Sequence, residues 1–219
     1  MNKLRPLALV CAGPVSRSPL ARLPQLRHNL GWVKSTSYRI ASRAVNALGA
    51  GIPVSEIAEM ASATVWIVSV PAEELQVTLA VLFGAGLDWR GRILLILDSK
   101  AGSEHGTAFH KCGAAVASFT PIDPECSRYV VEGDGDAIRA VRLLIGDSHK
   151  RLVIQIVKGS KARFLQGAEA TSRVLPLIAE AIDRFQDVGI SKQDAKAVTE
   201  SLLMGAMRLY FRAGRRSLK

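Results

Sequence analysis

A mostly parallel α/β sheet followed by an all-helical part is the fold this sequence predicts, on three observations. Wholly apolar runs recur along the first two-thirds of the chain: Leu7-Ala8-Leu9-Val10-Cys11, Val65-Trp66-Ile67-Val68-Ser69-Val70 and Ile93-Leu94-Leu95-Ile96-Leu97. Strands covered on both faces read this way. Segments with helical spacing lie between the runs, which implies parallel pairing through helical crossovers. After Val157 no strand signal remains.

The elements follow in order. Leu7 to Cys11 is the first strand; a Gly-Pro turn and a helical stretch to about Arg27 come next. Trp32-Val33-Lys34-Ser35 is the second strand, and Ile40, Ala41, Ala44, Val45 and Leu48 give a helix from Tyr38 to Leu48. Gly49 to Gly51 ends it, and Ser55 to Ala61 is a short further turn of helix. The strand from Val65 stops at Pro71, and a helix runs from Ala72 to about Phe83. Beyond Ile93 to Leu97, strands are expected at Ala114 to Phe119, Tyr129 to Glu132 and Leu152 to Val157, the last two flanking a helix from Asp136 to Ile145.

Ser160 to Val188 reads as one long helix with apolar residues around most of its circumference, kinked at Pro176, since proline removes a backbone donor. Ser191 caps a second helix striped by Val198, Leu202, Ala206, Leu209, Tyr210 and Ala213. Two domains follow: 1–157, a nucleotide-binding sheet domain, and 158–219, a helical part for dimerisation or substrate. Helices so apolar need a partner surface, and a homodimer is expected, with Leu175, Ile178, Ile182 and Phe185 left for the second copy.

Composition narrows the class. The chain has 219 residues, 48% hydrophobic and 22% charged, ordinary for one folded core with a helical appendage. No apolar run reaches the roughly 18 residues of a membrane-spanning helix, so no membrane partner is expected. Lys3 and Arg5 precede Leu7 to Val10 in the order of a secretion signal, but the run is short and Arg17 and Arg22 stand where a small-residue cleavage site would be. A buried first strand explains it.

Cys11, Cys112 and Cys126 show no CxxC spacing and fit small apolar residues in a reducing cytoplasm, the expected location. His28, His105, His110 and His149 form no metal-binding pair. The net charge of +10 suits either an anionic ligand, such as a phosphorylated cofactor, or a nucleic-acid surface. Aromatics at 5% and basic residues dispersed except in the tail from Arg212 argue against nucleic acid.

The turn after the first strand, Cys11-Ala12-Gly13-Pro14-Val15-Ser16, bears on nucleotide binding. Against the GxGxxG pattern of Rossmann-type domains it keeps only the middle glycine, Gly13, where the backbone comes closest to a pyrophosphate. Ser16 is small and offers a hydroxyl at the helix start; Pro14 has no N–H to give. The alternative is a merely structural turn. At the end of the second strand, Lys34-Ser35-Thr36-Ser37-Tyr38-Arg39 contains no acid for a ribose hydroxyl. Ser35, Ser37 and Arg39 suit a 2′-phosphate, so a bound dinucleotide would be NADP; a polar helix cap is the plain alternative. The crevice of such a sheet would lie beside Gly13 and Val70.

The order of segments resembles the 6-phosphogluconate-dehydrogenase-like superfamily, which includes pyrroline-5-carboxylate reductases and deazaflavin-dependent NADP oxidoreductases. More closely it resembles an uncharacterised group pairing a Rossmann-like domain with a helical domain of unknown function. The carrying segments are Val65 to Pro71, Trp89-Arg90-Gly91-Arg92-Ile93, Gly113 to Pro121, and Val131-Glu132-Gly133-Asp134. The resemblance implies an NADP-dependent oxidoreductase with Val70 and Pro71 at the cofactor, Ser99 and Asp98 near the nicotinamide ribose (a cap of the next segment being the plain alternative for these two), and a small-molecule ligand in an interdomain cleft.

The departures from that pattern thin the chemistry. Thr120 stands where the group commonly has histidine, Phe164-Leu165 where it has Tyr-His, and Ala72 where it has an acid. Lys161 is the remaining ionisable candidate, since related dehydrogenases use a lysine near that point as general acid or base; a solvated lysine is the plain alternative. Three function classes stay open: a reductase-like NADP-binding protein with partly degenerate catalytic positions, a non-catalytic Rossmann scaffold acting as ligand sensor or assembly module, and, more weakly supported by the charge, a basic nucleic-acid-associated protein.

Overall fold

The computed structural model describes residues 6–13, 15, 18–97, 101–146 and 151–213. Within them runs an eight-stranded sheet of β1 (Leu7–Cys11), β2 (Leu30–Lys34), β3 (Ile52–Val54), β4 (Val65–Ser69), β5 (Ile93–Leu97), β6 (Ala115–Pro121), β7 (Arg128–Gly133) and β8 (Leu152–Gln155), in the order β3-β2-β1-β4-β5-β6-β7-β8. Every neighbouring pair is parallel except β6 and β7. No described strand follows β8, as the loss of strand signal implies.

The apolar runs become central strands because both of their faces are covered. On one face Leu9, Ile67, Leu95 and Phe119 pack with Ala41, Ala44 and Leu48 of α2 (Tyr38–Leu48) and with Val141 and Leu144 of α5 (Gly135–Ile145). On the other, Trp66, Leu94, Ile96 and Val116 pack with Leu75, Leu79 and Leu82 of α3 (Ala72–Phe83) and Phe109 of α4 (Thr107–Lys111). The strand β3 is absent from the sequence expectation: it has three residues, includes Pro53 and sits at the sheet edge, too short for any period to show.

Two helical expectations need correcting. No continuous helix follows β1: the described chain makes a 3-10 turn at Pro19–Arg22 and then α1 (Leu26–Asn29). Prolines at 14, 19 and 24 recur every five residues, so no helix longer than about a turn fits between them. The expected long helix is likewise two, α6 (Lys161–Ser172) and α7 (Val174–Asp187). The break falls at Arg173 rather than at Pro176, because Pro176 lacks the N–H that would bond the Ser172 carbonyl four residues earlier. Proline is tolerated in the first turn of the new helix.

The chain divides into two compact units, Met1–Leu165 and Gln166–Lys219, the division falling inside α6. In the second unit α7 packs with α8 (Lys192–Ala213). The buried residues of α8 are Ala195 and Thr199, whereas Val198, Leu202 and Tyr210 of the expected stripe are exposed. Among the described residues no helix is long and apolar enough to cross a membrane.

Candidate functional site

The parallel strands β1, β2, β4 and β5 end at one edge of the sheet, with Cys11 level with Ser69, and Val10 with Lys34. The order β3-β2-β1-β4-β5 reverses direction at β1, so the switch point lies between the ends of β1 and β4, where open α/β sheets bind ligands. Gly13, Ser35, Val70 and Pro71 follow these strand ends, so the fold brings four of the sequence-selected residues to one edge.

Gly13 has a φ of +73°, and nothing lies within 4 Å of where a Cβ would be. Glycine is therefore required there by the backbone turn, and the space above it is open. Val15 is buried in the core below α2, so only its backbone remains for a ligand. Pro14, Ser16, Asp98 and Ser99 lie outside the described residues.

At the end of β2, Ser35 is buried and its hydroxyl donates to the Cys11 carbonyl at 2.7 Å. Lys34 folds back, Nζ donating to the Ser35 carbonyl at 2.8 Å. It lines a recess of about 410 Å³ with Ser55, Glu56, Ile57, Ala58, Val81 and Ala85. Ser37 caps α2, its Oγ accepting from the Ile40 N–H at 3.3 Å, while Arg39 is exposed on the first turn. Val70 is buried; Pro71 is exposed and opens α3, its carbonyl accepting from the Glu74 N–H.

Lys161 is not solvated. It is 1% exposed at the first position of α6, with Nζ donating to the Ala101 carbonyl at 2.9 Å and to Ser118 Oγ at 2.6 Å. Ser118 in turn donates to the same Ala101 carbonyl at 2.6 Å. The Lys161 N–H donates to Glu132 Oε2 at 2.9 Å, beside the Ser160 N–H at 3.0 Å, and the Ser103 N–H reaches Oε1 at 2.9 Å. Ser118 and Glu132 are directly opposite across β6 and β7, so their side chains share a face of the sheet.

Glu132, Ser118 and Ser103 were not selected from the sequence. The available signal was a carboxylate closing the apolar run Tyr129-Val130-Val131-Glu132, where a strand covered on both faces has no use for charge without partners. Among the described residues no group of histidine, cysteine, aspartate and glutamate could hold a metal ion.

No protein-family model and no curated protein matches the sequence. Solved structures do. A pyrroline-5-carboxylate reductase from Coxiella burnetii aligns with 99% of this chain and 83% of its own, at 11% identity and a TM-score of 0.64. An imine reductase variant from Myxococcus stipitatus in complex with NAD+ aligns with 94% of this chain and 75% of its own, at 15% identity and a TM-score of 0.67. The imine reductase of the same organism in complex with NADP+ covers 96% and 78%, at 16% identity and a TM-score of 0.64. The chain thus has the fold of the pyrroline-5-carboxylate reductase and the imine reductases with which it aligns.

Proposed function

We propose that the chain is an NADP-binding reductase acting on a carbon–nitrogen double bond. One observation carries the reading: the switch-point edge of this fold holds a left-handed Gly13 under open space together with an exposed Arg39, and no acid stands between Lys34 and Arg39. Ser37 and Arg39 would hold a 2′-phosphate, the Gly13 turn the pyrophosphate, and Val70 and Pro71 the nicotinamide half, with Val15 contributing backbone and Ser35 fixing the strand end. Pro14, Ser16 and Ser99 complete the set from sequence.

NADPH, when bound, supplies the hydride. Reduction of a C=N bond also consumes one proton at nitrogen, and Lys161 is the residue assigned to that proton. Its burial and its hydrogen bonds to the Ala101 carbonyl and Ser118 Oγ hold the side chain in one place, unlike a surface lysine. The substrate class follows the imine bond common to the names of the structural neighbours.

The test is calorimetry with NADPH and NADH on the wild type and Arg39→Ala, followed by NADPH oxidation with a cyclic imine. The expected result is tighter NADPH binding that Arg39→Ala loses selectively. Binding of neither cofactor at millimolar concentration would overturn the reading; binding without turnover would make the chain a ligand sensor.

The helical part is read as a homodimer interface. Of the residues expected to face the second copy, Leu175 is 64% exposed whereas Ile178, Ile182 and Phe185 are half-buried; Leu177, Leu202 and Phe211, 63%, 61% and 77% exposed, take their place in an apolar surface that a second copy of the same helices would cover on both sides at once.

A further inference from the structure

We propose that Glu132 is a positioning residue that fixes the place of the Lys161 amine; the assignment rests on the reading of Lys161 as the proton-handling group. Glu132 is 0% exposed, and a polar side chain so placed is costly unless its oxygens are hydrogen-bonded. Both oxygens are used. Oε1 accepts from the Ser103 N–H at 2.9 Å and from Ser103 Oγ at 3.4 Å, and Oε2 accepts from the N–H groups of Ser160 and Lys161 at 3.0 and 2.9 Å. One side chain on β7 thus gathers the segment after β5 and the first turn of α6, 29 residues away in each direction.

The geometry closes on itself. Glu132 holds the backbone of Lys161; the Lys161 side chain returns to Ser118; Ser118 is the cross-strand partner of Glu132. Another acceptor of the amine, the Ala101 carbonyl, sits two residues before the Ser103 N–H that Glu132 holds. The segment between wraps the carboxylate so closely that a Cβ at Gly102 would lie 2.5 Å from Glu132 Oε1. Both the residue bearing the amine and the segment bearing its acceptor are therefore referenced to one carboxylate. An amide in place of the carboxylate could accept with only one of its two ends, and its NH₂ would face N–H donors.

The test uses the full chain labelled with 15N-lysine. A buried, hydrogen-bonded ammonium exchanges its protons slowly enough to give a resolved side-chain resonance, whereas solvated lysines do not. The wild type is expected to show one such resonance that Lys161→Met removes. Glu132→Gln is expected to lose or shift it while keeping a cooperative melt, with amide exchange at Ser103, Ser160 and Lys161 faster by about tenfold or more. Ser118→Ala is expected to lose the resonance while Ser103 and Ser160 stay protected.

If Glu132→Gln does not fold, Glu132→Asp is read in its place, since a carboxylate one methylene shorter cannot span Ser103 and α6 together. A Lys161 resonance unchanged in the folded variant, or absent from the wild type, overturns the proposal, as does failure of both Glu132 variants to fold, which would make the residue purely structural. NADPH titration of the same samples keeps the two readings apart. A wild type that binds no cofactor defeats the reductase reading alone, and an unchanged resonance with cofactor bound defeats the positioning role alone.

Discussion

The Ser35 hydroxyl donates to the Cys11 carbonyl at 2.7 Å, tying the end of β2 to the end of β1 where their ladder stops. Both residues are buried, so this bond is made in the core below the strand-end edge rather than on its surface. Ser35→Ala would leave a buried carbonyl short of a partner. It should lower stability by about 1–2 kcal/mol in urea unfolding, with NADPH affinity falling much less than in Arg39→Ala. A selective loss of the 2′-phosphate preference, with stability intact, would instead place Ser35 among the ligand contacts.

Burial pushes the Cys11 thiol from 9.0 up to about 11, the Ser35 hydrogen bond acting in the opposite sense. The folded chain therefore holds this proton more tightly than the unfolded chain. Its contribution to stability is complete below the unfolded value near 9 and is lost as pH rises through 11. Wild type minus Cys11→Ala should isolate a decline of about 2–3 kcal/mol across that window in denaturant melts. Parallel pH profiles for the two proteins would show that the thiol does not couple to folding.

Legibility in the sequence followed physical range. Strands buried on both faces were readable because burial writes itself as an unbroken apolar run, as in Val65 to Ser69. The edge strand β3 buries too little to leave such a mark. The helix break at Arg173 was displaced from Pro176 because proline acts on the carbonyl four residues earlier. At the candidate site, Gly13 and Lys161 were visible as types, but the burial of Lys161 was not, since it depends on Ala101, Ser118 and Glu132 meeting from distant segments.

Two glycines give opposite expectations. Gly133 has a φ of +136°, and a Cβ there would clash with the Val116 carbonyl and lie 2.5 Å from Ala117 Cα. Gly133→Ala should destabilise by about 3 kcal/mol or more, as both strain and backbone overlap act at once. Gly167 lies within α6 with nothing within 4 Å of a Cβ, so Gly167→Ala should stabilise by up to about 1 kcal/mol through helix propensity. Thermal melts of the two variants check both signs. A neutral Gly133→Ala would mean that β6 and β7 separate more easily than their register implies.

The last expectation concerns assembly. α7 and α8 pack on each other, yet Leu175, Leu177, Leu202, Leu209 and Phe211 stay largely exposed in the single chain. Scattered apolar residues are ordinary on a protein surface, but this many on two neighbouring helices approach a patch that soluble monomers avoid. A heterologous contact would leave one copy's patch uncovered and propagate into a filament, whereas a two-fold contact uses both patches and closes. Leu177→Glu tests it cleanly, because a residue 63% exposed contributes little to the fold of its own chain while a charge there opposes burial by a partner. Light scattering at low micromolar concentration should give a dimer for the wild type and a folded monomer for Leu177→Glu. A well-folded wild-type monomer of 23.6 kDa would defeat the dimer and leave the exposed leucines for another partner.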